Sequence, residues 1–286
     1  MVERFIQAVR QAFLLAFSRR AYLFRLRPRL LRLFDADLAF VAANLELFYP
    51  LEPAPVPGLT WGRILVVAAH PDDEAVGAGG SLILAGQGGA ELVLAFLTDG
   101  RPPSGRAAQA RAEASQRQAE AQAAADYLKA SVHVFEAPVR TLSADRTRAQ
   151  EAAAWLREIA LGFQPEAVLC PFPLEAHSDH RLAAWAAARA VEDIRPEPLV
   201  WAYEVASLCP ANVVVDITRV EQKKAELIEL YASQTARFDY VNVALGLNRY
   251  HSRHLGGRGS AEAFFRVPAG EFVRLVSRLK DEQIFK

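Results

Sequence analysis

The chain has 286 residues, of which 52% are hydrophobic and 23% charged. That is enough apolar material for a large core and excludes a disordered chain. Thirty-three basic residues balance 33 acidic ones, so a globally basic nucleic-acid binder is not indicated. The two cysteines, Cys170 and Cys209, are too few for a disulfide framework and form no C-x-x-C pair. This points to a reducing, cytoplasmic setting.

The balanced total hides an asymmetry. Met1 to Phe34 holds eight arginines against one acid, Glu3, interleaved with phenylalanine, leucine and isoleucine. Its longest uncharged run, Gln11 to Ser18, is too short to span a bilayer, which takes about 20 apolar residues. It also lacks a small-x-small cleavage site. Three readings stay open: a basic amphipathic helix lying peripherally on an anionic membrane, an arm that docks a partner chain, or helices folded back on the main domain. Tyr49 to Gly58 carries four prolines and a glycine, which cannot continue a helix. We therefore expect an extension and linker over 1–58, and the main domain over 59–286.

From residue 60 onward the pattern alternates. Continuous apolar runs predict strands buried on both faces at 63–69, 91–97 and 167–171. Shorter strands are predicted at 131–136, 199–205 and 213–217. Helices are predicted between them, at 74–86, 106–129, 147–161, 180–193 and 219–232. This implies an open α/β fold with a mostly parallel sheet covered on both sides. Ligands in such folds bind beyond the C-terminal strand ends, so the chemistry should follow residues 69, 97, 171 and 205.

Two of those positions carry polar clusters. The first strand runs into His70-Pro71-Asp72-Asp73-Glu74, and the 167–171 strand is followed by His177-Ser178-Asp179-His180. An ordinary helix N-terminus accounts for one or two of the acids, but not for the histidines. His70, Asp73 and His180 together suit a catalytic zinc ion, or ferrous iron, with one coordination position left for the water that attacks. Asp72, beside the ion but not on it, is placed as general base. His177 could stabilise the developing oxyanion or protonate the leaving amine. Asp179 could hold His177 or His180 in the right tautomer.

These residues carry a family resemblance. His-Pro-Asp-Asp-Glu after a buried strand, paired with His-Ser-Asp-His, resembles the LmbE-like, or PIG-L, zinc N-acetylglucosaminyl deacetylases, whose second motif more often reads His-Pro-Asp-His. Weaker matches are Thr98-Asp99-Gly100, Arg117 with Glu120, Lys224 to Gln234, and Ala261-Glu262-Ala263-Phe264. The resemblance covers about residues 61–267 and implies a Rossmann-like three-layer αβα fold, in agreement with the alternation above, and removal of an N-acetyl group from an amino-sugar conjugate. It implies the same roles: His70, Asp73 and His180 on the metal, Asp72 as base and His177 as electrostatic or acid group. Another amide, such as a thiol conjugate, and a non-catalytic carbohydrate-binding or scaffold role remain as alternatives. A lipid-linked substrate would suit the basic extension, and a homo-oligomer is compatible with everything above.

Arg101, after a strand end, and His254, in a Gly- and Arg-rich loop read over Arg249 to Arg258, are candidate substrate-binding groups. His133 reads as structural and Cys170 as an inert core thiol. Gly77-Ala78-Gly79-Gly80 lacks G-x-G-x-x-G spacing and reads as close strand–helix packing.

Overall fold

A computed structural model describes residues 52–103 and 107–285. The basic segment 1–34 lies outside the described residues. Eight strands form one sheet: β1 (Ala54–Val56), β2 (Arg63–Ala68), β3 (Glu91–Phe96), β4 (Ser131–Val134), β5 (Ala167–Pro171), β6 (Leu199–Tyr203), β7 (Val213–Asp216) and β8 (Ala261–Pro268). Their spatial order is β1-β7-β8-β6-β5-β2-β3-β4. All pairings are parallel except those of β8, which runs antiparallel between β6 and β7.

Strand residues alternate between two cores because successive side chains point to opposite faces. On β2, Leu65 and Val67 face one core, which is closed by α3 (Arg146–Phe163), α4 (Ser178–Val191) and α8 (Ala269–Val276). Ile64, Val66 and Ala68 face the other, closed by α1 (Asp73–Gln87), α2 (Ala107–Leu128) and α5 (Glu221–Glu229). The Ala-rich α2 buries Ala121, Ala124, Ala125 and Leu128, an i, i+3, i+4, i+7 stripe. The remaining helices are α6 (Ala232–Thr235), α7 (Tyr240–His251) and α9 (Asp281–Ile284). Among the described residues, no helix is long and apolar enough to cross a membrane.

Three features extend the sequence reading. The proline-rich stretch supplies β1, which pairs with β7 at the sheet edge, where a residue without an N–H is tolerated. Residues 261–268 form a strand that periodicity had not marked, because Glu262 and Arg266 interrupt its apolar run. The glycines of α1 do allow close packing: a Cβ on Gly80 would lie 2.7 Å from Ile217 Cγ2, and one on Gly77 would strike Tyr203.

Strand order positions the site. β2 pairs with β3 on one side and with β5 on the other. The chain winds outward in both directions from this junction, which leaves a crevice at the C-terminal ends of β2 and β5. His70 follows β2, and His177 to His180 follow β5.

Candidate active site

The junction brings three histidines together. One nitrogen of each of His70, His177 and His180 lies within 4.8 Å of the others. Asp73 sits between two of them: Oδ1 is 3.2 Å from His180 Nε2, and Oδ2 is 3.5 Å from His70 Nδ1. The same Oδ2 accepts from the backbone N–H groups of Ala69 and His70, at 3.0 and 2.8 Å. The first turn of α1 thus aims this carboxylate.

The electrostatics follow from burial and pairing. For Asp73, burial alone would raise the pKa, but His180 and His70 outweigh it and hold the carboxyl well below its usual range. Burial would lower both histidines, yet the Asp73 carboxylate, aided by Asp179 and Glu175, raises His70 to about 9 and His180 to about 10. A buried carboxylate facing two imidazoles therefore makes this spot favourable for a cation. His177 goes the other way, to about 4, because of burial and the neighbouring His70 and His180.

Asp72 is buried with φ 137°, a left-handed conformation that disfavours a side chain. Strain of this kind survives only where the surroundings enforce it. Arg117, reaching over from α2, donates to the Pro71 carbonyl and lies 3.4 Å from Asp72 Oδ2. Glu74 Oε2 accepts from the Asp72 N–H at 3.2 Å and is itself held by the Tyr231 hydroxyl. Burial raises Asp72 to about 6, against the pull of Arg117.

Two residues hold the histidines, and one acts elsewhere than the motif suggests. Asp179 Oδ2 pairs with His70 Nε2 at 3.0 Å; its side chain touches neither His177 nor His180 as the sequence reading expected, because α4 turns it toward β2. His180 Nδ1 instead faces Glu175 Oε2 at 3.5 Å. Glu175 also accepts from the N–H groups of Val205 and Ala206, which ties the loop after β6 to His180.

Around this group lies a cleft of about 500 Å³. Its polar lining includes His70, Asp72, Asp73, Arg117, His177, His180 and Gln234. Val76, Val139, Val205, Phe238, Tyr240 and Val243 supply apolar walls. Neither expected substrate-binding residue is brought to it. Arg101 folds onto Asp99, 3.2 Å away. His254 lies in a short 3-10 turn packed against β1 and β7, three strand positions from β5. His133 is exposed on β4, and Cys170 is fully buried in β5.

Sequence reasoning missed Arg117, Glu175 and the aromatic wall as parts of the site. The signal for Arg117 was Gly100. Gly100 has φ 74°, and a Cβ there would lie 2.5 Å from Arg117 Nε.

The donor set suits a divalent ion: two or three imidazoles and one carboxylate meet at one point.

Comparison with known proteins agrees with this geometry. Residues 65–191 match the family described as PIG-L: GlcNAc-PI de-N-acetylase. No curated protein matches the chain. Among solved structures, the chain resembles an N,N'-diacetylchitobiose deacetylase from Pyrococcus horikoshii, with 19% identity over 84% of this chain and 94% of that one, and a TM-score of 0.63. It resembles 4-carboxy-2-hydroxymuconate hydratase from Pseudomonas putida KT2440 at 27% identity, covering 72% and 96%, with a TM-score of 0.60. A third is the zinc-inhibited form of a teicoplanin deacetylase, at 18% identity, 72% and 98% coverage, and a TM-score of 0.57. The matched stretch runs from β2 to α4 and holds every histidine of the cluster, so the likeness to the PIG-L, or LmbE-like, family falls on the site itself.

Proposed function

We propose that this protein is a metal-dependent hydrolase that removes the N-acetyl group from an amino-sugar conjugate. The observation that carries this reading is the meeting of His70, Asp73, His177 and His180 beside Asp72, on loops more than a hundred positions apart in the chain. The reaction takes up one water and yields acetate and a free amine.

His70, Asp73 and His180 would hold the ion. When bound, a divalent ion such as zinc or ferrous iron lowers the pKa of water and polarises a carbonyl. Asp72 takes up the proton lost by the attacking water at its carboxylate. Arg117 holds that carboxylate, and Glu74 fixes the backbone beneath it by accepting from the Asp72 N–H. His177 lines the cleft and donates a hydrogen bond toward the oxygen that gains charge. Asp179 and Glu175 orient His70 and His180.

The apolar wall of Phe238, Tyr240 and Val243 suits the face of a sugar ring or an apolar aglycone. A lipid-linked substrate would place the basic segment 1–34 against a membrane. The test is acetate release from N-acetylglucosaminyl lipids, inositols and oligosaccharides, with and without chelator. Chelator-sensitive release from one class supports the reading; none from any class rejects it. The likeness to a hydratase favours a second reading, water addition to an unsaturated acid. That activity would consume the alkene absorbance and release no acetate.

A further inference from the structure

His177 is asked for more than an imidazole can give. Its Nδ1 lies 3.2 Å from the backbone N–H of Asp179, and its Nε2 lies 3.4 Å from Nε–H of Arg140. Both contacts require the ring nitrogen to accept. A neutral imidazole accepts at one nitrogen only, and an imidazolium at neither. One contact must therefore yield. The Asp179 N–H is fixed by the start of α4, whereas the Arg140 side chain is exposed. Nδ1 is then the acceptor, and Nε2 carries the hydrogen. This leaves two N–H donors, on His177 and on Arg140, facing each other across 3.4 Å with no acceptor between them.

The backbone of Arg140 shows that this position is enforced. Its φ is 62°, a left-handed conformation in which glycine or asparagine would be less strained. Its N–H donates at 2.6 Å to Asp179 Oδ2, the same oxygen that meets His70 Nε2 at 3.0 Å. The loop carrying Arg140 is therefore pinned to the histidine cluster. Among the described residues, Arg140 forms no ion pair with a carboxylate, although many other arginines do. The adjacent Val139 lines the cleft.

We propose that Arg140 is a substrate-contacting residue, and that its guanidinium and the Nε2–H of His177 converge on one negatively charged oxygen at the mouth of the cleft. A single oxygen with two lone pairs would satisfy both donors. On the deacetylase reading, on which this assignment of the oxygen rests, it is the acetamide carbonyl oxygen as charge develops on it, and afterwards an oxygen of the acetate product. Arginine suits this task because it stays charged and presents several donors in one plane.

The test uses the full-length, metal-loaded protein. Arg140→Gly removes the side chain while easing the left-handed backbone, so the variant should fold; Arg140→Gln and Arg140→Lys complete the set. We expect Arg140→Gly and Arg140→Gln to lower kcat about 10- to 100-fold with KM changed less than about threefold, and Arg140→Lys to recover part of the loss. Sodium acetate binding, measured by titration calorimetry, should weaken at least about fivefold in Arg140→Gly, an effect of about 1 kcal/mol. Wild-type kcat and wild-type acetate affinity in Arg140→Gly would overturn the proposal and leave the deacetylase reading standing. The converse result, Arg140-dependent acetate binding by a protein that releases no acetate from any substrate, would reject the deacetylase reading and keep the anion site. A wild-type protein that binds no acetate would also overturn the proposal.

Discussion

Two buried charged clusters adjoin α1, one at its first turn and one at its middle, and they differ in how their polar atoms are satisfied. At the first, Lys224 Nζ meets Glu262 Oε1 at 2.7 Å, and both side chains are fully buried. The Glu262 carboxylate also accepts from the N–H groups of Gly80 and Ser81, each at 2.8 Å, so it is fully engaged. At the second, His180 Nδ1 and Arg117 Nη1 meet carboxylates only as longer ion pairs, Glu175 at 3.5 Å and Glu120 at 3.7 Å, Arg117 Nε has no hydrogen-bond partner, and a cleft opens beside them. A buried polar group that is left unpaired costs free energy, so a fold keeps it only where something else repays that cost. The closed pair stitches α1 and α5 to β8. The open cluster is free to engage a ligand.

That contrast can be broken experimentally. The largest effect should come from His180→Ala. The variant should lose most of its bound metal, read by elemental analysis, together with essentially all acetate release, while its circular dichroism stays native. Asp72→Asn should keep the metal and lower kcat by about 10²–10⁴, the usual span for a general base. Its melting temperature should not fall, because asparagine tolerates the left-handed backbone better than most residues. Near-normal turnover in Asp72→Asn would remove Asp72 from the mechanism.

The closed pair should respond in the opposite way. Glu262→Ala strands a buried ammonium and should cost about 3–5 kcal/mol in denaturant titrations, while the folded fraction keeps its specific activity. If activity falls with no loss of stability, the two clusters are not separable in the manner described. The smallest effect is expected from Gly80→Ala. Its new Cβ would meet Ile217, and forcing that contact should cost about 1–3 kcal/mol with kcat unchanged.

Much of the fold was legible in sequence because it rests on local pattern. The β2, β3 and β5 strands are runs of apolar residues, and the structure places them within a residue or so of the expected positions. Other elements had no local signal. β8 carries Glu262, whose burial makes sense only beside Lys224, 38 positions earlier. Helix α7 was partly read as loop from its Arg249–Arg258 end, although Ala244, Asn248 and His251 bury an i, i+4, i+7 face.

The same division runs through the site. His70, Asp72, Asp73, His177 and His180 were legible because each motif packs several metal-capable groups into a few residues at a strand end. Arg117 and Glu175 were not, since their roles depend on partners supplied by distant loops: Pro71 and Asp72 for Arg117, Val205, Ala206 and His180 for Glu175. Arg101 and His254 failed to reach the cleft for the same reason, their neighbours having taken them elsewhere.

By itself, then, the chain's order of residues determined which segments bury apolar faces and which short motifs can grip a cation, because both depend on neighbours a few positions away. Only the tertiary structure decided that β2 and β5 lie side by side, that Asp179 serves His70, and which buried charges are closed and which stay open. Those outcomes depend on residues that meet across tens to more than a hundred positions, where packing geometry, not local spacing, selects the partner.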